Sequence, residues 1–119
     1  MKMKYFQIAK RMAKFSNHPD HQMGACVAYK ARPLGFGFNS TKTHSKSNTK
    51  YRTIHAELSA ILNCHRQDLA GSDIYIYRET KNGTLGISKP CKDCYKLIKS
   101  LGIKNIYYTG DGSYKEENL

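Results

Sequence analysis

The stretch Pro90-Cys-Lys-Asp-Cys-Tyr-Lys-Leu-Ile-Lys-Ser-Leu-Gly-Ile-Lys-Asn-Ile-Tyr-Tyr108, residues 90–108, decides how the fold is read. Cys91 and Cys94 are three apart, which puts both on one face of a helix. Gly102 is a good C-cap residue, so a helix is expected from about Cys91 to that glycine. Ile103 to Tyr108 then reads as a strand. Upstream, Asp73-Ile74-Tyr75-Ile76-Tyr77 reads as another. Two strands joined through a helix pack as a parallel pair with the helix against the sheet.

Working further outward, Asn82-Gly83 is a hairpin signal, with the chain folding back through Thr84-Leu85-Gly86-Ile87. A helix is expected from about Thr53 to Cys64, with Leu58, Ile61 and Leu62 on its apolar face. Met23 to Tyr29 reads as a strand, followed by a turn at Lys30-Ala31-Arg32-Pro33 and a second strand, Leu34 to Asn39. The glycines of that second strand suggest a bulge or a close approach. Ser40 to Lys50 reads as a loop. Tyr5, Ile8, Met12 and Phe15 recur at helical spacing and predict a first amphipathic helix. Asp111 to Leu119 reads as a polar tail. The order is that of an α/β protein with a mixed sheet, a β-hairpin followed by parallel strands.

The chain has 119 residues and 39% hydrophobic content, which fits one domain spanning 1–119. Twenty Lys+Arg against nine Asp+Glu give 20 − 9 = +11. Such a balance attracts anions, whether a nucleotide phosphate or a single-stranded nucleic acid. The cations are scattered rather than in one run, so a solvated basic surface fits them equally. No apolar run reaches the roughly 20 residues of a membrane span. The amino terminus carries charge throughout and is not a signal peptide. A reducing, cytoplasmic setting is therefore expected, with Cys26, Cys64, Cys91 and Cys94 as thiols or metal ligands rather than disulfides.

The chemistry gathers at two expected helix starts, His55-Ala56-Glu57 and Pro90-Cys91-Lys92-Asp93-Cys94. One imidazole and two thiolates make three zinc ligands and leave a fourth tetrahedral position open, the pattern of a catalytic rather than a structural zinc. Two thiolates also neutralise the formal charge of Zn²⁺. His55 and Glu57 are two apart, which on a helix separates them by about 200°. If His55 stands at the helix entry, its backbone need not be helical, and its ring can turn to the metal. Glu57 in the first turn then leans over the fourth position and carries protons. Cys26 reads as a buried apolar residue, and Cys64-His65 as a helix end without a matching partner. His18 and His21 read as ordinary loop histidines. Tyr107 and Tyr108 read as strand residues, one facing inward.

His55-x-Glu57 with Pro90-Cys91-x-x-Cys94 resembles the signature of the zinc nucleobase deaminases. The chain is similar to the cytidine deaminase-like superfamily, and within it to the deoxycytidylate (dCMP) deaminase branch. Met23-Gly24-Ala25-Cys26-Val27, Gly35-Phe36-Gly37-Phe38-Asn39 and Leu101-Gly102-Ile103-Lys104-Asn105-Ile106-Tyr107-Tyr108 carry the resemblance beyond the motif. It implies a three-layer α/β/α fold and one zinc held by His55, Cys91 and Cys94. It further implies Glu57 as the catalytic proton carrier, with Asn39, the Ala56 backbone, Pro90 and His44 around the substrate. By the same resemblance, activated water attacks the carbon bearing the exocyclic amine, ammonia leaves, and cytosine becomes uracil. The chain departs from the branch in having Ser59 where an asparagine is usual, Lys89 in the Glu-Pro-Cys lead-in, and a short C-terminal end.

The leading expectation is a deaminase of a small pyrimidine nucleotide, dCMP first. The alternative keeps the chemistry and moves it to a base in RNA, tRNA or single-stranded DNA, for which Lys42, Lys46, Lys50 and Arg52 before the catalytic helix would meet phosphate. A second alternative is a non-catalytic, zinc-stabilised nucleic-acid-binding module. A homo-oligomer is expected by analogy with relatives.

Overall fold

The structure, a computed structural model, describes residues 2–17, 21–43 and 51–119, without the side chains of 41–43 and 51–54. His18, His44, Lys46 and Lys50, and the side chains of Lys42 and Arg52, thus lie outside the described residues. Helix α1 (Met3–Ala13) precedes strands β1 (Met23–Tyr29) and β2 (Arg32–Phe38). A short pair follows, β3 (Ser40–Thr43) at the start of the expected loop and β4 (Tyr51–Ile54) just after it. Helix α2 (Ala56–Leu62), β5 (Asp73–Arg78), α3 (Lys92–Ser100), β6 (Asn105–Thr109) and β7 (Tyr114–Asn118) complete the chain.

The main sheet runs β2-β1-β5-β6-β7. Only β5 and β6 are parallel, joined through α3 as the sequence predicts; β1 is antiparallel to both β2 and β5. Strand β5 shows how the sequence fills both sides. Its alternation sends Ile74 and Ile76 to one face and Tyr75 and Tyr77 to the other. The isoleucine face packs with Ala56 and Ala60 of α2 and Ile98 of α3. The tyrosine face packs with Tyr5, Phe6, Ala9 and Ala13 of α1. Helices therefore cover the sheet from both sides, giving the three expected layers.

Two expectations are corrected here. Of the expected α1 stripe Tyr5 is buried and Ile8 packs partly buried beside it, but the buried face is completed by Phe6, Ala9 and Ala13 rather than by Met12 and Phe15; Phe15 is 67% exposed. The cause is close approach of backbone to backbone. A Cβ at Gly24 in β1 would collide with the Ala9 carbonyl and stand 2.6 Å from Ala13 N, so only small residues fit along that contact. Gly24→Ala is accordingly expected to destabilise the protein by about 3 kcal/mol, because backbone cannot yield as a side chain does. Thermal unfolding that shifts by less than a degree would refute this contact.

The second correction concerns the C-terminal segment. Residues expected as a polar tail form β7, antiparallel to β6. Tyr114 turns inward, its ring centroid 4.6 Å from that of Phe6, while Glu117 accepts the Tyr95 hydroxyl of α3 at 3.2 Å. The charges belong to a solvent-facing edge strand, a usual guard against edge-to-edge pairing. The expected fold-back after Asn82-Gly83 shrinks to one isolated bridge, Glu79 to Leu85, around Gly83 at φ 81°. No helix among the described residues is long and apolar enough to cross a membrane.

Candidate metal and active site

Both helices that bear the motif residues begin with one of them. His55 is the N-cap of α2, at φ −71° and ψ 148°, and Cys91 is the N-cap of α3, at φ −67° and ψ 168°. Extended backbone at the cap frees each side chain from the helical screw. Helix α2 was expected to begin two or three residues earlier. β4 runs to Ile54 instead, and the strand-to-helix break falls on His55 itself.

The His55 Nδ1 atom lies 3.2 Å from Cys94 Sγ and 3.5 Å from Cys91 Sγ. All three ligand atoms fall within 4.8 Å of one another. Tetrahedral zinc with bonds of 2.0–2.3 Å separates its ligands by about 3.5 Å, so this donor set fits the ion. Cys91 and His55 are exposed, whereas Cys94 is buried. Glu57 is only 3% exposed, and burial raises its carboxyl above the usual carboxylate range. Burial, with the Glu57 carboxylate next, likewise pushes the Cys94 thiol up. A bound dication reverses both effects, because it rewards the charged forms.

A groove of about 300 Å³ opens at this point. Of the residues expected around a substrate, Asn39 lines it, together with the expected proton carrier Glu57 and the expected ligands His55 and Cys91. Asn39 is buried, its Oδ1 accepting from Met23 N at 2.9 Å and its amide donating to the His21 carbonyl. Ala56 is fully buried as the first residue of α2, where a backbone N–H has no partner within the helix. Pro90 is buried beside Cys91. Ser59 faces away: its Oγ lies against Gly37 of β2, where a Cβ would also stand 2.6 Å from Ala60 N. The unusual serine therefore serves helix–sheet contact. Cys26 is buried on the α1 side, and the Cys64 thiol donates to the Ala60 carbonyl at 3.3 Å.

Sequence reasoning missed His21, Met23, Arg78, Ile87 and Lys89, which also line the groove. Ile87 and Lys89 belong to the segment connecting β5 with α3, which the hairpin reading treated as mere connection, and Arg78 closes β5 just before it.

That segment is fixed from beneath by a buried hydroxyl pair. Thr109 Oγ1 donates to the Gly86 carbonyl at 2.6 Å, accepts from Arg78 N at 3.2 Å, and lies 2.8 Å from Ser88 Oγ. Ser88 Oγ accepts from Thr109 N at 2.7 Å and donates to the Ile76 carbonyl at 2.9 Å. Ser88 stands three residues before Cys91, so the network sets where the thiol pair begins. Thr109→Val keeps the shape and orphans these partners. It is expected to cost about 2–3 kcal/mol and to weaken zinc retention, measured by chelator competition. Unchanged zinc affinity would mean that α3 finds its place without the network.

A family model described as the cytidine and deoxycytidylate deaminase zinc-binding region matches residues 1–110. The chain is 30% identical to human deoxycytidylate deaminase over 122 residues, covering 90% of this chain and 63% of that protein. It is also 30% identical to an uncharacterized deaminase of Aliivibrio fischeri over 112 residues, covering 87% and 69%. The chain thus spans a little under two thirds of the human relative it matches. Among solved structures, a dCMP deaminase from the cyanophage S-TIM5 in apo form superposes with a TM-score of 0.70 at 26% identity, over 92% of this chain and 86% of that one.

Proposed function

Because the chain belongs to the cytidine and deoxycytidylate deaminase zinc-binding family, we propose that it is a zinc-dependent hydrolytic deaminase. It converts the cytosine of a small nucleotide, dCMP first, into uracil with release of ammonia. The observation that carries this reading is the meeting of His55, Cys91 and Cys94 within 4.8 Å beside the buried Glu57. A structural zinc would need a fourth protein ligand and no carboxylate.

His55, Cys91 and Cys94 would hold the zinc, which would supply Lewis-acid activation of water. The protein's own groups do the rest. Glu57 accepts a proton from the attacking water and delivers it to the departing amine, so one water enters and one ammonia leaves. Its burial suits a group that must exist in both protonation states. The Ala56 N–H, at the positive end of α2, holds the polar edge of the base. Asn39, fixed by His21 and Met23, borders the sugar.

The charge of +11 supports a second reading, in which the base belongs to RNA or single-stranded DNA. A substrate panel tests both. Purified zinc-loaded protein is offered dCMP, deoxycytidine and cytosine- or adenine-bearing single strands, and ammonia release is measured. Release from dCMP alone supports the first reading, and release only from strands supports the second. An intact zinc site with no release from any of them refutes both.

A further inference from the structure

We propose that Arg78 and Lys89 hold the phosphate of the nucleotide in the groove and so set the preference for nucleotide over nucleoside. This rests on the nucleotide reading above and assigns that substrate's anionic end. Both cations line the same groove as His55 and Glu57, and Glu57 is the one carboxylate among its described lining residues. The groove therefore carries two cations besides the reacting acid, which suits a substrate with an anionic group.

Arg78 is the last residue of β5, paired with Met23 of β1, so its Cα is fixed by the sheet. Its stem runs over Gly86, where a Cβ would stand 3.2 Å from both Cγ and Cδ. Nη1 donates to the Ile87 carbonyl at 3.3 Å. Nε is buried and finds no acceptor among the described residues. Orphaned buried donors are uncommon and call for a partner. With Nη1 on the Ile87 carbonyl and Nε packed inward, the guanidinium is held in place and Nη2 is the nitrogen it offers to a phosphate oxygen. Lys89 is exposed and stands two residues before Cys91 in the sequence, on the groove wall. It adds a mobile point charge to the fixed guanidinium.

The test measures binding of dUMP, deoxyuridine and inorganic phosphate by calorimetry, using zinc-loaded wild type, Arg78→Gln and Lys89→Gln. Arg78→Gln is expected to weaken dUMP about tenfold to a hundredfold, the size of a lost charge-assisted contact. Lys89→Gln, a surface change with no fold consequence, is expected to weaken it about threefold to tenfold. Deoxyuridine binding stays within twofold in both variants. Equal losses for dUMP and deoxyuridine would reduce Arg78 to a structural support. Unchanged dUMP and phosphate binding in both variants would overturn the proposal. If the nucleotide reading alone fails, dUMP gains nothing over phosphate, yet Arg78→Gln still abolishes phosphate binding.

Discussion

On the proposed deaminase reading, Glu57→Gln is expected to lower dCMP deamination by about 10³-fold, within the range that a positioned proton carrier contributes. The amide keeps the shape and the hydrogen-bonding capacity but cannot shuttle a proton. Zinc content is expected to stay at one per chain, because Glu57 is not among the three ligand atoms that converge. Thermal stability is expected to hold or rise slightly. Burial already disfavours the charged carboxylate, and the neutral amide removes that cost. The readouts are ammonia release, bound zinc by elemental measurement, and melting temperature. A variant that keeps full zinc and more than a tenth of the activity would show that another group carries the proton. A variant that loses zinc would show instead that Glu57 belongs to the metal's own shell.

The second large effect is expected from the thiols. Cys94→Ser replaces a soft thiolate with a hydroxyl that stays protonated, and zinc affinity is expected to fall by about 10³-fold or more. Activity falls with it. Because serine is nearly isosteric with cysteine, the metal-free variant should unfold close to the metal-free wild type, with only the modest cost of a hydroxyl at the buried Cys94 position. The bulk of the loss is therefore read as affinity. Cys64→Ser and Cys26→Ala are the counterparts. The Cys64 thiol bonds the Ala60 carbonyl, and Cys26 lies on the opposite side of the sheet, so both are expected to retain full zinc. A comparable zinc loss in Cys64→Ser would mean that the donor set is wrong.

Much of this arrangement was legible before any coordinates, and for identifiable reasons. The strands β1 and β5, and the helix before Gly102, announce themselves through alternation and capping that depend only on nearby residues. Gly102 does adopt φ 77°, as a C-cap glycine should. The convergence of His55 with Cys91 and Cys94 was legible because metal chemistry restricts which residue types can meet. The failures share a different cause. The buried face of α1 is set by Gly24 on another strand, so its own apolar pattern points in part to the wrong residues. Strand β7 is polar because it is an edge, and a polar segment reads as a tail until its neighbour is known. Arg78 and Lys89 carry no motif. Their place in the groove follows from how Ser88 and Thr109 tie down a segment whose sequence looks like a plain turn. Long-range packing is what a local pattern cannot encode.

The tie between Ser88 and Thr109 also bears on how the protein is made. Cys91 leaves the ribosome 109 − 91 = 18 residues before Thr109 does. At 5–20 residues per second that interval is roughly 1–4 s. Until it ends, the anchor beneath Cys91 and Cys94 does not exist, and the cage has two walls without a floor. The nascent polypeptide therefore carries the Cys91–Cys94 pair without its anchor for that interval, and zinc capture is expected only after Thr109 has emerged.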